Sequence, residues 1–138
     1  MRPYTQVIDQ LRTAGLRPTR QRLALAKLLF EDGPRHVTAE MMRADAQKAS
    51  IRVSLATVYN TLHQFTEAGL LREIVVDPAR SYFDTTTEAH GHFYFEDTGV
   101  LQDIEDDVQL ASTPKVPQGA CISSVDVIVR LKACSKYP

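Results

Sequence analysis

Residues 53–71 are VSLATVYNTLHQFTEAGLL, which is the pattern of an amphipathic helix. Ser54 comes before the first apolar residue of the pattern and is a favoured N-cap, and Gly69 follows the last one as a common helix stop. The apolar side chains recur at i, i+3, i+7 and i+10, so they share one face that we expect to contact a core. They are Leu55, Val58, Leu62 and Phe65.

The chain changes its period directly after this helix. Residues 71–76 are apolar and β-branched, Asp77-Pro78 has the composition of a turn, and residues 80–85 are predicted as a second strand. Two such runs joined by a short turn predict a β-hairpin.

Three more helices are predicted upstream. Apolar residues with helical spacing cover residues 4–14, 20–30 and 38–49, and Thr38 is a favoured N-cap for the third. Four helices followed by a hairpin predict a winged helix-turn-helix domain over residues 1–86.

The rest of the chain is mostly β in pattern. Strands are predicted at residues 93–96, 100–104 and 121–131. Residues 105–120 are acidic and then rich in Pro and Gly, so they hold one short helix at most. We place the boundary near residues 86–89 and predict a small α/β dimerisation domain over residues 90–138, which makes the fold class α+β.

Composition sets the broad class of protein. The 138 residues are 43% hydrophobic and 24% charged, which is ordinary for a soluble globular protein. No apolar run approaches the roughly 20 residues that span a bilayer, and residues 1–10 lack the apolar stretch of a signal peptide. We therefore expect a cytoplasmic protein without a membrane partner.

Charge is unevenly distributed along the chain. Residues 1–76 carry 11 Lys/Arg and 7 Asp/Glu, whereas residues 77–138 carry 5 and 10. A basic half suggests a polyanionic partner, and an acidic half suggests a cation or a protein partner.

The outward face of the 53–71 helix suits DNA. A helix-turn-helix places the start of its second helix in the major groove, and Ser54 at that start is a candidate phosphate ligand. The face opposite the apolar stripe carries Ala56, Thr57, Tyr59, Asn60 and His63. An acid-free basic cluster, Arg12, Arg17, Arg20 and Arg22, would neutralise phosphates. A solvated basic face or a protein-docking winged helix is the alternative interpretation.

A second constellation suits a metal ion. His90 and His92 are two residues apart on a predicted strand, so both imidazoles can face one ion. Asp84 lies shortly upstream, Asp103 lies on the next predicted strand, and His36 lies in the basic half. Nitrogen and oxygen ligands without sulfur suit Fe²⁺, Mn²⁺ or Zn²⁺. If His36 joins the site, metal would tie the two halves together and affect DNA affinity.

The same histidines also have interpretations other than a regulatory metal site. Pairs of surface histidines without metal are common, and His63 is better explained as a surface or dimer-contact residue. A metal-dependent hydrolase or oxygenase built on His90, His92 and Asp103 would also need a substrate cleft. The latter half offers little chain to build one, so we do not expect an enzyme.

These motifs together resemble the ferric uptake regulator family. Residues 15–30 are similar to its first conserved block, residues 36–40 to its histidine-bearing helix start, and residues 53–71 to its recognition helix. The resemblance covers roughly residues 5–105. The segment YNTLHQFTEAGLLR and the HxHFY motif most resemble the iron response regulator branch of the family.

The resemblance implies a sensing site and a DNA-binding mode. The family's ligands match His36, Asp84, His90, His92 and Asp103. Tyr59 falls on its base-contacting tyrosine, and we expect it to act with Arg17, supported by Arg20, Ser54, Thr57 and Asn60. The aspartate-containing ligand set also resembles that of the peroxide-sensing repressors, in which bound iron makes the histidine ligands oxidisable.

Departures from the family pattern limit the metal content. The CxxC that holds a structural zinc in most members is replaced by Phe95 and Thr98, and Cys121 and Cys134 cannot rebuild it, so no structural Cys₄ zinc is expected. No histidine follows His92, so the family's second metal site is expected to be lost as well. One divalent metal per subunit is implied, Fe²⁺ or Mn²⁺, with Zn²⁺ an option in vitro.

The resemblance also implies partners and a role. We expect a homodimer that binds an AT-rich, pseudo-palindromic DNA operator and controls iron homeostasis genes as a metal-responsive repressor. A peroxide- or manganese-sensing repressor is the alternative. Haem binding through His90 or His92 is left open, because Gly91 replaces the middle residue of the branch's triple histidine.

Overall fold

A computed structural model describes residues 5–134, which form two compact units that divide between Thr87 and Glu88. The predicted start of the first helix at residue 4 lies outside the described residues. Within them, no helix is both long enough and apolar enough to cross a bilayer.

The first unit has four helices and three strands. They are α1 (Thr5–Thr13), α2 (Arg20–Phe30), β1 (His36–Val37), α3 (Ala39–Lys48), α4 (Leu55–Glu67), β2 (Arg72–Asp77) and β3 (Arg80–Asp84). The side chains of Thr19, Thr38 and Ser54 accept hydrogen bonds from backbone N–H groups in the first turns of α2, α3 and α4. Each of these helices therefore starts where a short hydroxyl side chain can satisfy an otherwise unpaired donor.

The end of α4 depends on Gly69. This residue has φ 84°, in the left-handed region that glycine adopts without steric cost. The turn lets the Leu70 N–H bond back to the Phe65 carbonyl at 2.9 Å, which satisfies a carbonyl near the helix end. The chain can then reverse directly into the hairpin.

The core of the first unit lies between the helices and β3. The predicted apolar stripe of α4 faces it, with Val58, Leu62 and Phe65 fully buried and Leu55 packed at its margin. Complete burial of each such side chain contributes about 1.5–3 kcal/mol. This burial fixes the rotation of α4 and turns its polar face outward.

The sheet of the first unit has the antiparallel order β1-β3-β2. The hairpin β2–β3 was predicted, but β1 was not, because a two-residue strand leaves no periodicity to detect. β1 pairs His36 with Asp84 and Val37 with Phe83. The strand thereby places the segment before α3 beside the end of the hairpin.

The second unit is a three-stranded sheet of order β5-β4-β6. It is formed by β4 (His92–Phe95), β5 (Val100–Asp103) and β6 (Ile128–Leu131). β4 pairs antiparallel with β5 and parallel with β6. Together the two units give the α+β class that the sequence predicts.

The predicted strand at residues 121–131 was too long. The strand is confined to Ile128–Leu131, which pair in register with His92 to Phe95 of β4, and the Val127 carbonyl accepts one further bond from the His92 N–H at 3.0 Å. The described residues 105–127 form no helix or strand. The alternating apolar residues in that segment are exposed, including Ile122 and Val125.

Candidate metal centre and nucleic-acid interface

Three of the predicted metal ligands meet within the second unit. His92, the first residue of β4, is the register partner of Asp103 at the end of β5. The Nε2 atoms of His90 and His92 lie 3.1 Å and 3.2 Å from the same Asp103 Oδ1. The two imidazole rings are 4.3 Å apart, and His92 is only 3% exposed.

The hydrogen bonds around His90 indicate what this cluster can bind. His90 Nδ1 lies 2.8 Å from the Glu88 carbonyl, which only accepts, so Nδ1 carries the hydrogen. In the neutral ring, Nε2 then points a lone pair at the Asp103 carboxylate. Two acceptors at this distance need a shared positive charge, which is either a proton on Nε2 or a bound metal ion. A carbonyl bond to the far nitrogen is typical of metal-bound histidine.

The chemistry of the donors fits a divalent cation of intermediate hardness. Two imidazole nitrogens and a carboxylate oxygen suit Fe²⁺, Mn²⁺ or Zn²⁺, and the absence of sulfur disfavours Cu⁺. Asp103 is exposed over 51% of its side chain, so solvent reaches the cluster from that side. A cation would have a path of entry there.

Packing explains why the residue between the two histidines, Gly91, is a glycine. It is buried, and its carbonyl accepts from the Ile104 N–H at 2.9 Å. A Cβ built on Gly91 would lie 3.2 Å from Ile104 Cδ1, which is tighter than normal packing. A histidine at this position would have to displace Ile104.

The other two predicted ligands lie together in the first unit. His36 and Asp84 are register partners on β1 and β3. Asp84 is 2% exposed, and its Oδ1 accepts from the Thr86 N–H at 2.9 Å. The His36 ring is half-buried and packs edge-on to Tyr82, with 6.2 Å between ring centroids. Two of the five predicted ligands thus belong to the first unit and three to the second.

Cys121 and Cys134 are free and exposed, and Phe95, at one of the family's zinc-ligand positions, pairs with Val100 and Leu131 in the second sheet.

Three of the predicted DNA-contacting residues, Arg17, Thr57 and Asn60, line one polar cleft of the first unit. Arg17, Arg20, Ser54 and Asn60 are exposed, and Thr57 and Tyr59 are half-buried. Ser54 Oγ accepts from the Thr57 N–H at 3.1 Å and donates to Thr57 Oγ1 at 2.9 Å. The Ser54 hydroxyl thus caps α4, and its contact with a phosphate stays a prediction.

Arg22 holds the turn before α2 against α4. Its Nε and Nη2 donate to Gln64 Oε1 at 3.2 Å and 3.0 Å, and its Nη1 donates to the Arg17 carbonyl at 2.9 Å. A polar cleft of about 290 Å³ lies beside this contact. It is lined by Arg17, Thr19, Gln21, Arg22, Thr57, Asn60, Thr61 and Gln64.

His63 supports the predicted base-contacting tyrosine. Its ring stacks on Tyr59, with centroids 6.1 Å apart and planes 19° apart, and meets Phe83 edge-on at 5.4 Å. The sequence indicated only a surface histidine here. The i, i+4 spacing to Tyr59 was the available signal, whereas the contact with Phe83 depends on the tertiary fold.

Comparison with known proteins identifies the family of the chain. The sequence profile described as the ferric uptake regulator family matches residues 13–130. The chain belongs to the ferric uptake regulator family. Members of this family are transcription regulators that bind DNA and metal, and they are not enzymes.

Two relatives of this ferric uptake regulator family member are named for peroxide. The peroxide-responsive repressor PerR of Staphylococcus aureus is 33% identical over 98 residues, which cover 71% of this chain and 66% of the relative. The peroxide operon regulator of Bacillus subtilis is 34% identical over 98 residues, which cover 71% and 67%. The match thus spans about two thirds of each relative's length.

Solved structures in the family share the fold. The ferric uptake regulator of Pseudomonas aeruginosa with manganese is 25% identical with a TM-score of 0.68, covering 91% of this chain and 96% of that one. The ferric uptake regulator of Vibrio cholerae is 24% identical with a TM-score of 0.72, covering 92% and 99%. The second likeness concerns the fold alone.

Proposed function

We propose that this chain is a homodimeric, metal-dependent repressor that binds a DNA operator through α4. The observation that carries the proposal is the convergence of the His90 and His92 Nε2 atoms on one Asp103 oxygen, 3.1 Å and 3.2 Å away. A divalent cation bound there supplies the charge that these acceptors need, with one metal per subunit.

We infer that His36 and Asp84 complete the coordination. Their pairing across β1 and β3 supports this role, because one imidazole and one carboxylate are already adjacent. Ligands from both units would make the position of the DNA-binding unit depend on metal occupancy, which is a physical route from metal to DNA affinity. Fe²⁺ or Mn²⁺ is the proposed ion, with Zn²⁺ binding in vitro.

The DNA proposal rests on the outward face of α4. Because its apolar stripe is buried, Thr57 and Asn60 lie toward the outside, and Tyr59 lies at the edge of this face, half-buried against the core. Arg17, in the turn before α2, lines the same cleft as Thr57 and Asn60. It would bind phosphates together with Arg20, the first residue of α2. An AT-rich pseudo-palindrome is the proposed operator, since two copies of one domain related by a two-fold axis read two half-sites.

The dimer proposal rests on apolar side chains of the second unit. Val100, Leu110 and Val129 are 51%, 51% and 38% exposed, and a second copy pairing through this sheet would cover such groups.

Two signals are candidates within the family. The sequence favours the iron response regulator branch and control of iron homeostasis, with haem as a further effector through His90 or His92. The two relatives named for peroxide support the alternative equally well, namely iron-catalysed oxidation of His36 or His90. Sequence identities of 33% and 34% do not separate these branches.

One experiment tests the proposal. Fluorescence anisotropy would measure binding to an AT-rich operator with no metal, with Mn²⁺, with Fe²⁺ under nitrogen, and with haem, at fixed salt. We expect Mn²⁺ and Fe²⁺ to tighten binding by about 5- to 150-fold, with Asp103→Asn abolishing the gain and Asp106→Asn, an exposed acid outside the cluster, retaining it. Absence of salt-sensitive DNA binding under all conditions would refute the repressor function.

A matched oxidation experiment separates the two signals. Peroxide would be added to the Fe²⁺-loaded and Mn²⁺-loaded protein, followed by peptide mass spectrometry. Oxidation of His36 or His90 in the Fe²⁺-loaded protein but not in the Mn²⁺-loaded protein would support the peroxide sensor. Unmodified histidines together with DNA release by haem support the iron response branch.

A further inference from the structure

Arg35 joins the strand pair that carries His36 and Asp84 to the helices of the first unit. It directly precedes His36, and Thr85 directly follows Asp84. The Arg35 N–H donates to Thr85 Oγ1 at 2.9 Å. In return, the Thr85 N–H and Oγ1 donate to the Arg35 carbonyl at 3.0 Å and 3.1 Å. These bonds extend the β1–β3 ladder by one residue beyond the His36–Asp84 pair.

The Arg35 side chain continues from this ladder into the helices. Its Nη2 lies 2.8 Å from Asp45 Oδ2 on α3, and its Nη1 donates to the Leu28 carbonyl in the last turn of α2 at 3.2 Å. Carbonyls at a helix end have no partner within the helix, and a cation is favourable there. One guanidinium therefore bonds two helices at once.

The direction of the side chain follows from strand geometry. Alternate residues of a strand face the same side, so Arg35 shares a face with Val37, which is completely buried. His36 faces the other way. The same short segment thus presents a predicted metal ligand on one face and a bond to the helices on the other.

Arg35 is suited to transmit displacement because its bonds are specific. Asp45 and Arg35 are 30% and 29% exposed at their side chains, so the pair is shielded from solvent more than an ordinary surface ion pair. α3 packs against α4 through the shared core that includes Met42 and Val58. The Arg35–Asp45 contact therefore links β1 to α4 through α3.

We propose that Arg35 is a positioning residue that couples the His36–Asp84 pair to α2 and α3, so that metal binding at that pair sets the position of the DNA-contacting helix α4. This inference rests on the proposed function, in which His36 and Asp84 bind the metal. A purely structural contact would lower the stability of the fold without changing the response to metal.

Four variants separate coupling from stability. Arg35→Gln removes both contacts with the helices. Asp45→Asn removes the ion pair but retains the Leu28 bond, and Arg35→Lys keeps the charge but cannot form the same two-way fork. Arg43→Gln is the control, because it makes the same charge change on an exposed residue of α3.

The readouts are the Mn²⁺ dissociation constant, the ratio of operator affinities with and without Mn²⁺, and hydrogen exchange of the β1 and Thr85 amides in the metal-free protein. Thermal melts of each variant check that the fold persists. We expect Arg35→Gln and Asp45→Asn to reduce the Mn²⁺-dependent gain in DNA affinity to below about one fifth of the wild-type gain. Hydrogen exchange at β1 should accelerate in both, while Arg43→Gln retains the gain.

The outcomes are distinguishable. If Mn²⁺ does not increase the operator affinity of the wild type, the proposed function fails. If Mn²⁺ increases the affinity of the wild type and of folded Arg35→Gln and Asp45→Asn by the same factor, the coupling role of Arg35 is overturned while the proposed function stands. Asp45→Asn gives this answer if Arg35→Gln does not fold.

Discussion

His36 and Asp84 lie opposite each other on the antiparallel strands β1 and β3. Directly opposed residues keep their Cβ atoms about 4.5–5.5 Å apart, so the ladder sets their separation before any metal arrives. His92 and Asp103 have the same relationship on β4 and β5. Each unit therefore carries one ready-made histidine–aspartate pair, and in our proposal one ion binds both pairs together with His90.

Metal should stabilise the protein through these pairs. At about 100 times the dissociation constant, Mn²⁺ would raise the free energy of unfolding by about 2.7 kcal/mol, which is a rise in melting temperature of roughly 5–10 °C. Circular dichroism melts with Mn²⁺ and then with excess chelator measure this. Asp103→Asn should lose the shift and Asp106→Asn should keep it; an equal shift in both variants would contradict the site.

Gly91→Ala should destabilise the second unit by about 1–3 kcal/mol, the usual cost of overpacking. The added Cβ would lie 3.2 Å from Ile104 Cδ1. Ile104→Val removes this very atom, and alone it should cost about 0.5–1.5 kcal/mol. In urea unfolding, the double variant should lose less free energy of unfolding than the two single variants lose together. Simple additivity would show that the contact does not strain Gly91→Ala.

The candidate metal ligands could be predicted from the sequence, whereas the residues that hold them in place could not. Side-chain type and spacing identified His90, His92 and Asp103, because an HxH motif and an acid on the next strand share a face by local rules. The pairing of His36 with Asp84 could not be foreseen, since β1 is only two residues long and forms through contact with β3. Arg35 was missed for the same reason, because its partners Asp45 and Thr85 are brought together only by tertiary structure.

The same difference between local and tertiary causes applies to α4 and β6. The burial of α4 was predictable because its apolar spacing and Ser54 cap are properties of adjacent residues. The extent of β6 was not, because residues 121–127 alternate like a strand, whereas only Ile128–Leu131 pairs in register with the four-residue β4. Pattern predicts the capacity to form a strand, whereas pairing decides its length.

His63→Ala should weaken operator binding about three- to tenfold, because Tyr59 would lose its stacked neighbour. His63→Phe keeps a flat ring and should retain most of the affinity. Anisotropy titrations of both variants, alone and with Tyr59→Ala, form a double-mutant cycle. If His63 acts through Tyr59, His63→Ala should have little further effect in the Tyr59→Ala background; a full effect there would indicate a separate contact.

Arg17→Ala and Arg20→Ala should each weaken binding to all DNA sequences alike, since phosphate contacts carry no base information. Each loss should reduce the slope of log affinity against log salt by about 1. Titrations over a range of KCl, on an AT-rich operator and on a scrambled duplex, measure both effects. Lys115→Ala, which removes the same charge from an exposed residue of the second unit, is the control and should leave the slope unchanged. An unchanged slope in both arginine variants would show that neither guanidinium group contacts the DNA backbone, and the phosphate-binding surface would then have to lie elsewhere in the protein.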